Sequence, residues 1–297
     1  MNNAILFFYN INIQEIKRIN NNYYFTYQQN NYVIYKYNRD ISEINEIYEL
    51  NIELLSKGLI GYEIIPNKTN ELIFLYENNY YVLMKIPNIK NKKITYEDIL
   101  SFNFIQNQNK YKKIDKSNWN QNWSKKIDYI IYQFSQIKNK HKEIDSSIDY
   151  FIGIWENAIS YYNDTISNKN KKYVAHIRIE NDMDLLEYLN PINFVIDYKE
   201  RDIGEYLKTY VINNNYTENM IDTILKYTNQ EGIVLLISRL LFPSYYFDLY
   251  ENIIEGKTKE EEINVIVKKH YNVLNLIKYI FKKYWDYNIP YINWIKK

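Results

Sequence analysis

Two short apolar runs in the chain each end in a side chain able to do chemistry. Tyr173 to Ala175 leads into His176, Phe194 to Ile196 leads into Asp197, and a polar connection lies between them. Runs of this kind read as a strand pair that delivers an imidazole and a carboxylate to one cleft. Arg178 follows two residues after His176. A guanidinium has no accessible neutral form and no acceptor lone pair, so Arg178 cannot take a proton from a hydroxyl. The stretch from Tyr173 to Leu207 is the one place where charged residues sit at spacings that suggest a site.

The elements that must position these groups fall into two kinds. Tyr23 to Gln28 and Tyr32 to Tyr37 are rich in aromatic and β-branched residues and read as a hairpin joined through Gln29, Asn30 and Asn31. Lys36 lies on its second strand, sharing a face with Tyr32 and Ile34. From Ile41 to Lys57 the period becomes helical, with Ile44, Ile47, Tyr48 and Leu55 on one stripe and Gly58 as the stop. Strand signals return at Glu63 to Ile65, Leu72 to Tyr76 and Tyr80 to Ile86, the last two joined by Glu77, Asn78 and Asn79. An antiparallel sheet with one helix packed on it follows from that order. Gln106 to Asn122 is polar and aperiodic and reads as a connection or exposed loop. Beyond it the chain is mainly helical: Trp123 to Ile137, a helix capped at Asp145 or Ser146 and running through Tyr162, then Glu218 to Tyr227, Glu231 to Phe242 and Lys259 to about Trp285. The fold class predicted is α+β, with a small β-rich lobe over residues 1–106 and a larger helical lobe over 107–297.

Composition removes several function classes. Lys plus Arg is 37 against Asp plus Glu 36, so no whole-protein field draws nucleic acid or an anionic membrane. The longest apolar run, Ile233 to Phe247, is interrupted by Arg239 and Pro243 and is too short to span a bilayer. Ala4 to Tyr9 is too short for a secretory signal. The absence of cysteine excludes disulfides and thiolate metal sites and fits a reducing, cytoplasmic setting. Three scattered histidines, His141, His176 and His270, form no zinc spacing. Asparagine runs such as Asn213 to Asn215, with 34 Tyr and only 6 Gly, read as the residue bias of an AT-rich genome.

Four strings carry a resemblance: YFIGIWENAISYY from Tyr150, AHIRI from Ala175, NFVIDYKERDIGEYL from Asn193 and SRLLFPSYYFDLYE from Ser238. Together with the order of elements, they resemble the spore-coat-associated kinase-like proteins of the CotS and YutH group, relatives of the aminoglycoside and choline phosphotransferases. The match is best from Trp123 to Glu251. The resemblance implies a two-lobed protein-kinase-like fold. It implies that Lys36 pairs nucleotide phosphates, that Glu43, Glu46 or Glu49 is its carboxylate partner, that Asp197 holds a metal ion, and that Asp202 braces the catalytic loop. ATP and Mg²⁺ are the cofactors if the nucleotide site is retained.

The departures from that pattern are as informative as the matches. Arg178 stands where the family of active kinases places its base, and His176 is expected to be structural. No glycine precedes Gly58, so the turn at Gln28 to Asn31 lacks a phosphate-covering glycine. Met183 stands where a second metal ligand would be, Asn181 coming too early. Arg178 is expected to pair with Asp197 or Asp202 where a magnesium ion would otherwise sit. Trp123, Trp155, Tyr245, Tyr246 and Phe247 read as core, with a protein-binding patch as the alternative if exposed, and the basic end (Lys282, Lys283, Lys296, Lys297) as a solvated helix face. The function predicted is a catalytically impaired kinase-like protein that acts by binding spore-coat or other proteins. The alternatives are an active ATP- and Mg²⁺-dependent small-molecule phosphotransferase and a nucleotide-independent scaffold.

Overall fold

A computed structural model describes residues 1–106, 110–164, 171–180, 182–213, 217–226, 228–284, 289–290 and 292–296. Asn181, Asn214, Asn215, Tyr227, Trp285 and Lys297, named above, lie outside the described residues. In chain order the elements are α1 (Asn2–Tyr9), β1 (Lys17–Ile19), β2 (Asn22–Tyr27), β3 (Asn30–Tyr37), α2 (Ile44–Ser56), β4 (Glu63–Ile64), β5 (Phe74–Tyr76), β6 (Asn79–Lys85), α3 (Tyr96–Ser101) and β7 (Ile105–Gln106). They continue as α4 (Trp119–Ile137), α5 (Lys142–Asn163), β8 (Lys172–His176), α6 (Leu185–Tyr188), β9 (Phe194–Asp197), α7 (Glu200–Ile212), α8 (Glu218–Leu225), α9 (Gln230–Leu241), α10 (Ser244–Ile254) and α11 (Glu262–Lys283).

The chain divides into two compact units, and not at a single boundary after Gln106. The first unit takes Met1–Ile94, Gln106–Asp115 and Asp182–Ile196; the second takes Thr95–Ile105, Lys116–Asn181 and Asp197–Lys297.

The first unit is the antiparallel sheet predicted from the aromatic and β-branched runs. Strands follow the order β1-β2-β3-β6-β4, with β5 also on β6. Both predicted three-residue connections are two-residue turns, the first closing two residues earlier, at Gln29, and the second one residue earlier, at Asn78. Gln28 and Gln29 stand at φ 46° and 62°, and Glu77 and Asn78 at 46° and 60°. Positive φ at both central residues gives a turn whose twist matches the flanking strands, so the following asparagines become the first strand residues. One sheet face packs Phe25, Ile34, Phe74, Tyr81 and Leu83 on Ile5 of α1. That helix was not visible as a period in so short a stretch. The helix predicted from Ile41 opens as a 3-10 turn over Ile41–Glu43 and becomes α2. It ends at Gly58, whose φ of 93° is reached without strain only by glycine.

The second unit is the helical body. Trp155 and Phe151 of α5 and Tyr246 and Phe247 of α10 are fully buried, and Trp123 of α4 nearly so, which makes the aromatic clusters core. Phe151 stacks on Tyr246 at 3.9 Å and Trp123 on Phe242 at 4.6 Å. The apolar run from Ile233 is broken by Pro243 into α9 and α10, both packed largely inside this unit. The expected cap of α5 needs correction. Helix α5 begins at Lys142, so Asp145 sits in its first turn; Glu260, far along the chain, caps it by accepting from the Glu143 N–H at 2.6 Å. A cap supplied from a distant segment leaves no local signal. The aromatic run after Pro243 starts a new helix, α10.

Gly204 sets the spacing of α7 against α9. A Cβ there would stand 2.7 Å from Cγ of Arg239. The close approach lets Arg239 lie over the rings of Trp119, Trp123 and Phe242 at 5.2–5.7 Å.

Candidate functional site

Asp197 ends β9 and is completely buried. Its Oδ1 accepts the Trp119 Nε1–H at 2.8 Å and the Tyr198 N–H at 2.7 Å. Its Oδ2 accepts Nη1 of Arg201 at 2.6 Å. Arg201 stands four residues on, in the first turn of α7, and that spacing brings its side chain back over the strand end. The same guanidinium donates from Nε to the His176 carbonyl at 2.7 Å and from Nη2 to the Ile177 carbonyl at 2.8 Å. All three of its nitrogens are therefore used. Burial pushes the Asp197 carboxyl above its usual range, and the guanidiniums of Arg201 and Arg239 act against that push.

His176 ends β8 and is buried. Its Nδ1 lies 2.6 Å from Oδ2 of Asp202, while its backbone N–H donates to Oδ1 of the same carboxylate at 3.0 Å. Asp202 thus fixes both the ring and the main chain at the strand end.

Arg178 does not pair with Asp197 or Asp202, and this corrects the expectation above. It is 55% exposed and donates to Asp248 of α10 at 2.8 Å. The inward position is already filled by Arg201, whose reach from α7 is shorter and whose three acceptors are preformed. The sequence therefore identified an arginine–aspartate lock but named the wrong arginine. The missed signal was the four-residue spacing from Asp197 to Arg201 at a helix start.

The same correction applies to Lys36. It shares the sheet face of Ile34, which packs toward α1, and its backbone N–H donates to the Asn22 side chain at 2.9 Å. None of the three candidate carboxylates pairs with it. Glu43 takes Nε of Arg39 at 2.7 Å; Glu46 accepts the N–H groups of Lys113 and Ile114 at 2.8 and 3.2 Å; Glu49 lies 3.8 Å from Lys110. Strand alternation explains the outcome, because Tyr35 and Tyr37 occupy the opposite face and Tyr37 lies beside Arg39 and Glu43. Arg39, which sequence reasoning passed over, also donates from Nη1 to the carbonyls of Ile192 and Phe194 at 2.7 and 2.8 Å.

Behind Asp197 lies a second buried charge group. Glu205 of α7 accepts Arg239 and Lys208, each at 2.6 Å, and Ser244 at 3.1 Å. Burial alone would raise the Glu205 pKa, but the two cations hold it at about 2, while burial takes Lys208 down to about 8. Glu200, at the start of α7, is pushed up to about 7 by burial. His270 of α11 sits between the hydroxyls of Tyr245 and Tyr150 at 2.5 and 3.1 Å, and burial lowers it to about 4.

ATP and Mg²⁺ are the groups such a fold implies. A magnesium ion needs several oxygen ligands in near-octahedral array. Both oxygens of Asp197 are already engaged by protein donors. No group of three or more His, Asp or Glu side chains able to hold a metal occurs among the described residues. The residues present do not fit a nucleotide-bridging metal.

The chain matches the family model described as "Spore coat putative kinase YutH" over residues 2–276. It is 26% identical over 224 residues to the endospore coat-associated protein YutH of Bacillus subtilis (strain 168), a match spanning 66% of each protein. Among solved structures it is similar to an aminoglycoside phosphotransferase from Alicyclobacillus acidocaldarius, with a TM-score of 0.62, 9% identity, and 95% and 96% of the two chains covered. It is also similar to the amicoumacin kinase hAmiN, solved with AMP-PNP, Ca²⁺ and Ami, with a TM-score of 0.59, 11% identity and 91% of each chain covered. At those identities the structural likeness establishes the kinase-like α+β fold alone. The chain belongs to the YutH family of kinase-like spore-coat proteins.

Proposed function

We propose that the protein works at the spore coat by binding other proteins, on a kinase-like frame that carries out no phosphoryl transfer. The engagement of both Asp197 oxygens by Trp119 and Arg201 carries this reading. A carboxylate with one oxygen held by an indole N–H and the other by a permanently charged guanidinium already has its counter-cation in contact, which disfavours a phosphate-bridging ion at the same oxygen. Three further features support it. The position of the base is an arginine paired on the surface with Asp248. The turn between β2 and β3 is Gln28–Gln29, with no glycine to bring backbone N–H groups against a phosphate. Lys36 pairs with none of Glu43, Glu46 and Glu49. The partners this reading implies are coat proteins, with no nucleic acid and no membrane.

Thermal denaturation with ATP and Mg²⁺, alongside an ATP-consumption assay, tests the reading. A ligand at roughly two hundred times its Kd raises stability by about 3 kcal/mol, a shift readily seen. The expected result is no nucleotide-dependent shift and no turnover. A saturable shift abolished by both Asp197→Asn and Lys36→Ala, with phosphate transferred to an acceptor, would instead make the protein an active small-molecule phosphotransferase.

A further inference from the structure

Resting on that reading, we propose that Arg201 is a tethered cation occupying a cation site built from Oδ2 of Asp197 and the carbonyl oxygens of His176 and Ile177. These are one carboxylate and two carbonyl oxygens, the hard-donor chemistry that divalent ions take. The guanidinium meets each from a different nitrogen, at 2.6, 2.7 and 2.8 Å. Trp119 and the Tyr198 N–H engage the other Asp197 oxygen, so Oδ2 is the acceptor turned toward these carbonyls. Position and charge are both set by the chain. Arg201 follows Asp197 by four residues and reaches the strand end from the first turn of α7, so the cation arrives with folding and needs no free ion. An arginine side chain does not lose its proton, so the site stays filled at every pH at which the protein folds.

Two consequences follow. The wild-type protein excludes divalent metal from Asp197, and neutralising Arg201 converts the same oxygens into a metal site. Mn²⁺, followed by the electron-paramagnetic signal of the free ion, is the probe. It is titrated into wild type, Arg201→Gln, Arg201→Lys and the double variant Arg201→Gln/Asp197→Asn, with circular dichroism confirming the fold of each. Arg201→Gln is expected to take up a single Mn²⁺ at least roughly tenfold more tightly than wild type. Arg201→Lys, which keeps the charge, and the double variant, which lacks the carboxylate, should not. A folded Arg201→Gln that binds Mn²⁺ no better than wild type overturns the proposal, as does Mn²⁺ uptake by wild type that Asp197→Asn removes.

A measurement on the wild type stands if the variants do not fold. The ¹⁵N resonance of Arg201 Nε should stay unchanged through a Mg²⁺ titration, and a saturable shift would mean that the ion displaces the guanidinium. The two proposals fail separately. Phosphate transfer from ATP to an acceptor by wild type removes the binding reading, whereas an Arg201→Gln variant that gains no Mn²⁺ removes the tethered cation alone.

Discussion

Each compact unit holds one arginine clamp, and the two are built to the same plan. Arg39 and Glu43 in the first unit and Asp197 and Arg201 in the second are ion pairs four residues apart, and each guanidinium also donates to two backbone carbonyls. The difference lies in completeness. Arg201 uses all three nitrogens and faces a fully buried carboxylate, while Arg39 leaves Nη2 without a hydrogen-bond partner among the described residues and faces a Glu43 side chain 11% exposed. A clamp at a fully desolvated charge has no water to fall back on, so its removal is felt in full. In both, a carboxylate buried in the protein is neutralised by an arginine four residues away.

Substitutions that break the clamps should rank accordingly. Arg201→Met leaves Asp197 buried without its counter-charge and is expected to lower stability by roughly 3–5 kcal/mol, read from urea denaturation. A separate acid-dependent contribution comes from His270. His270 has a folded pKa of about 4 against 6.5 in the unfolded chain, so the unfolded state binds more protons between those values. Its contribution is complete above pH 6.5 and lost as pH falls to 4, in total about 3 kcal/mol. Glu200, raised to about 7, acts with the opposite sign in an overlapping window. The His270 contribution is therefore read as the difference between wild type and His270→Phe, the variant gaining relative stability at pH 4.5 over pH 7. Arg39→Met should cost about 2 kcal/mol, because Glu43 retains some access to water. An effect equal to that of Arg201→Met would erase the contrast between the clamps. Arg178→Ala should change stability by less than about 0.5 kcal/mol, as its pair with Asp248 is exposed.

Much of this architecture is legible in the sequence because it is periodic. The strands β2, β3 and β6 follow from their aromatic and β-branched runs and the helices α2, α4 and α5 from their apolar stripes, and the polar connections mark the hairpins. The strand ends at His176 and Asp197, and the bracing of the first by Asp202, were also within reach. What escaped was the direction of single side chains. Lys36 lies one residue away from the face that holds Glu43, and a shift of one in a strand reverses the side. Arg178 and Arg201 are both plausible partners of Asp197 until the start of α7 is known. Helix α1 and the Glu260 cap of α5 depend on long-range packing, which no local window contains.

Asp197 is closed by the protein's own cation. A crystal structure grown with AMP-PNP and Mg²⁺ in excess tests it most directly. The prediction is an Arg201 Nη1 that stays near 2.6 Å from Oδ2 of Asp197, with Trp119 still on Oδ1 and no metal at the carboxylate. Arg201 swung away, with a magnesium ion on Asp197 bridging nucleotide phosphates, would contradict it.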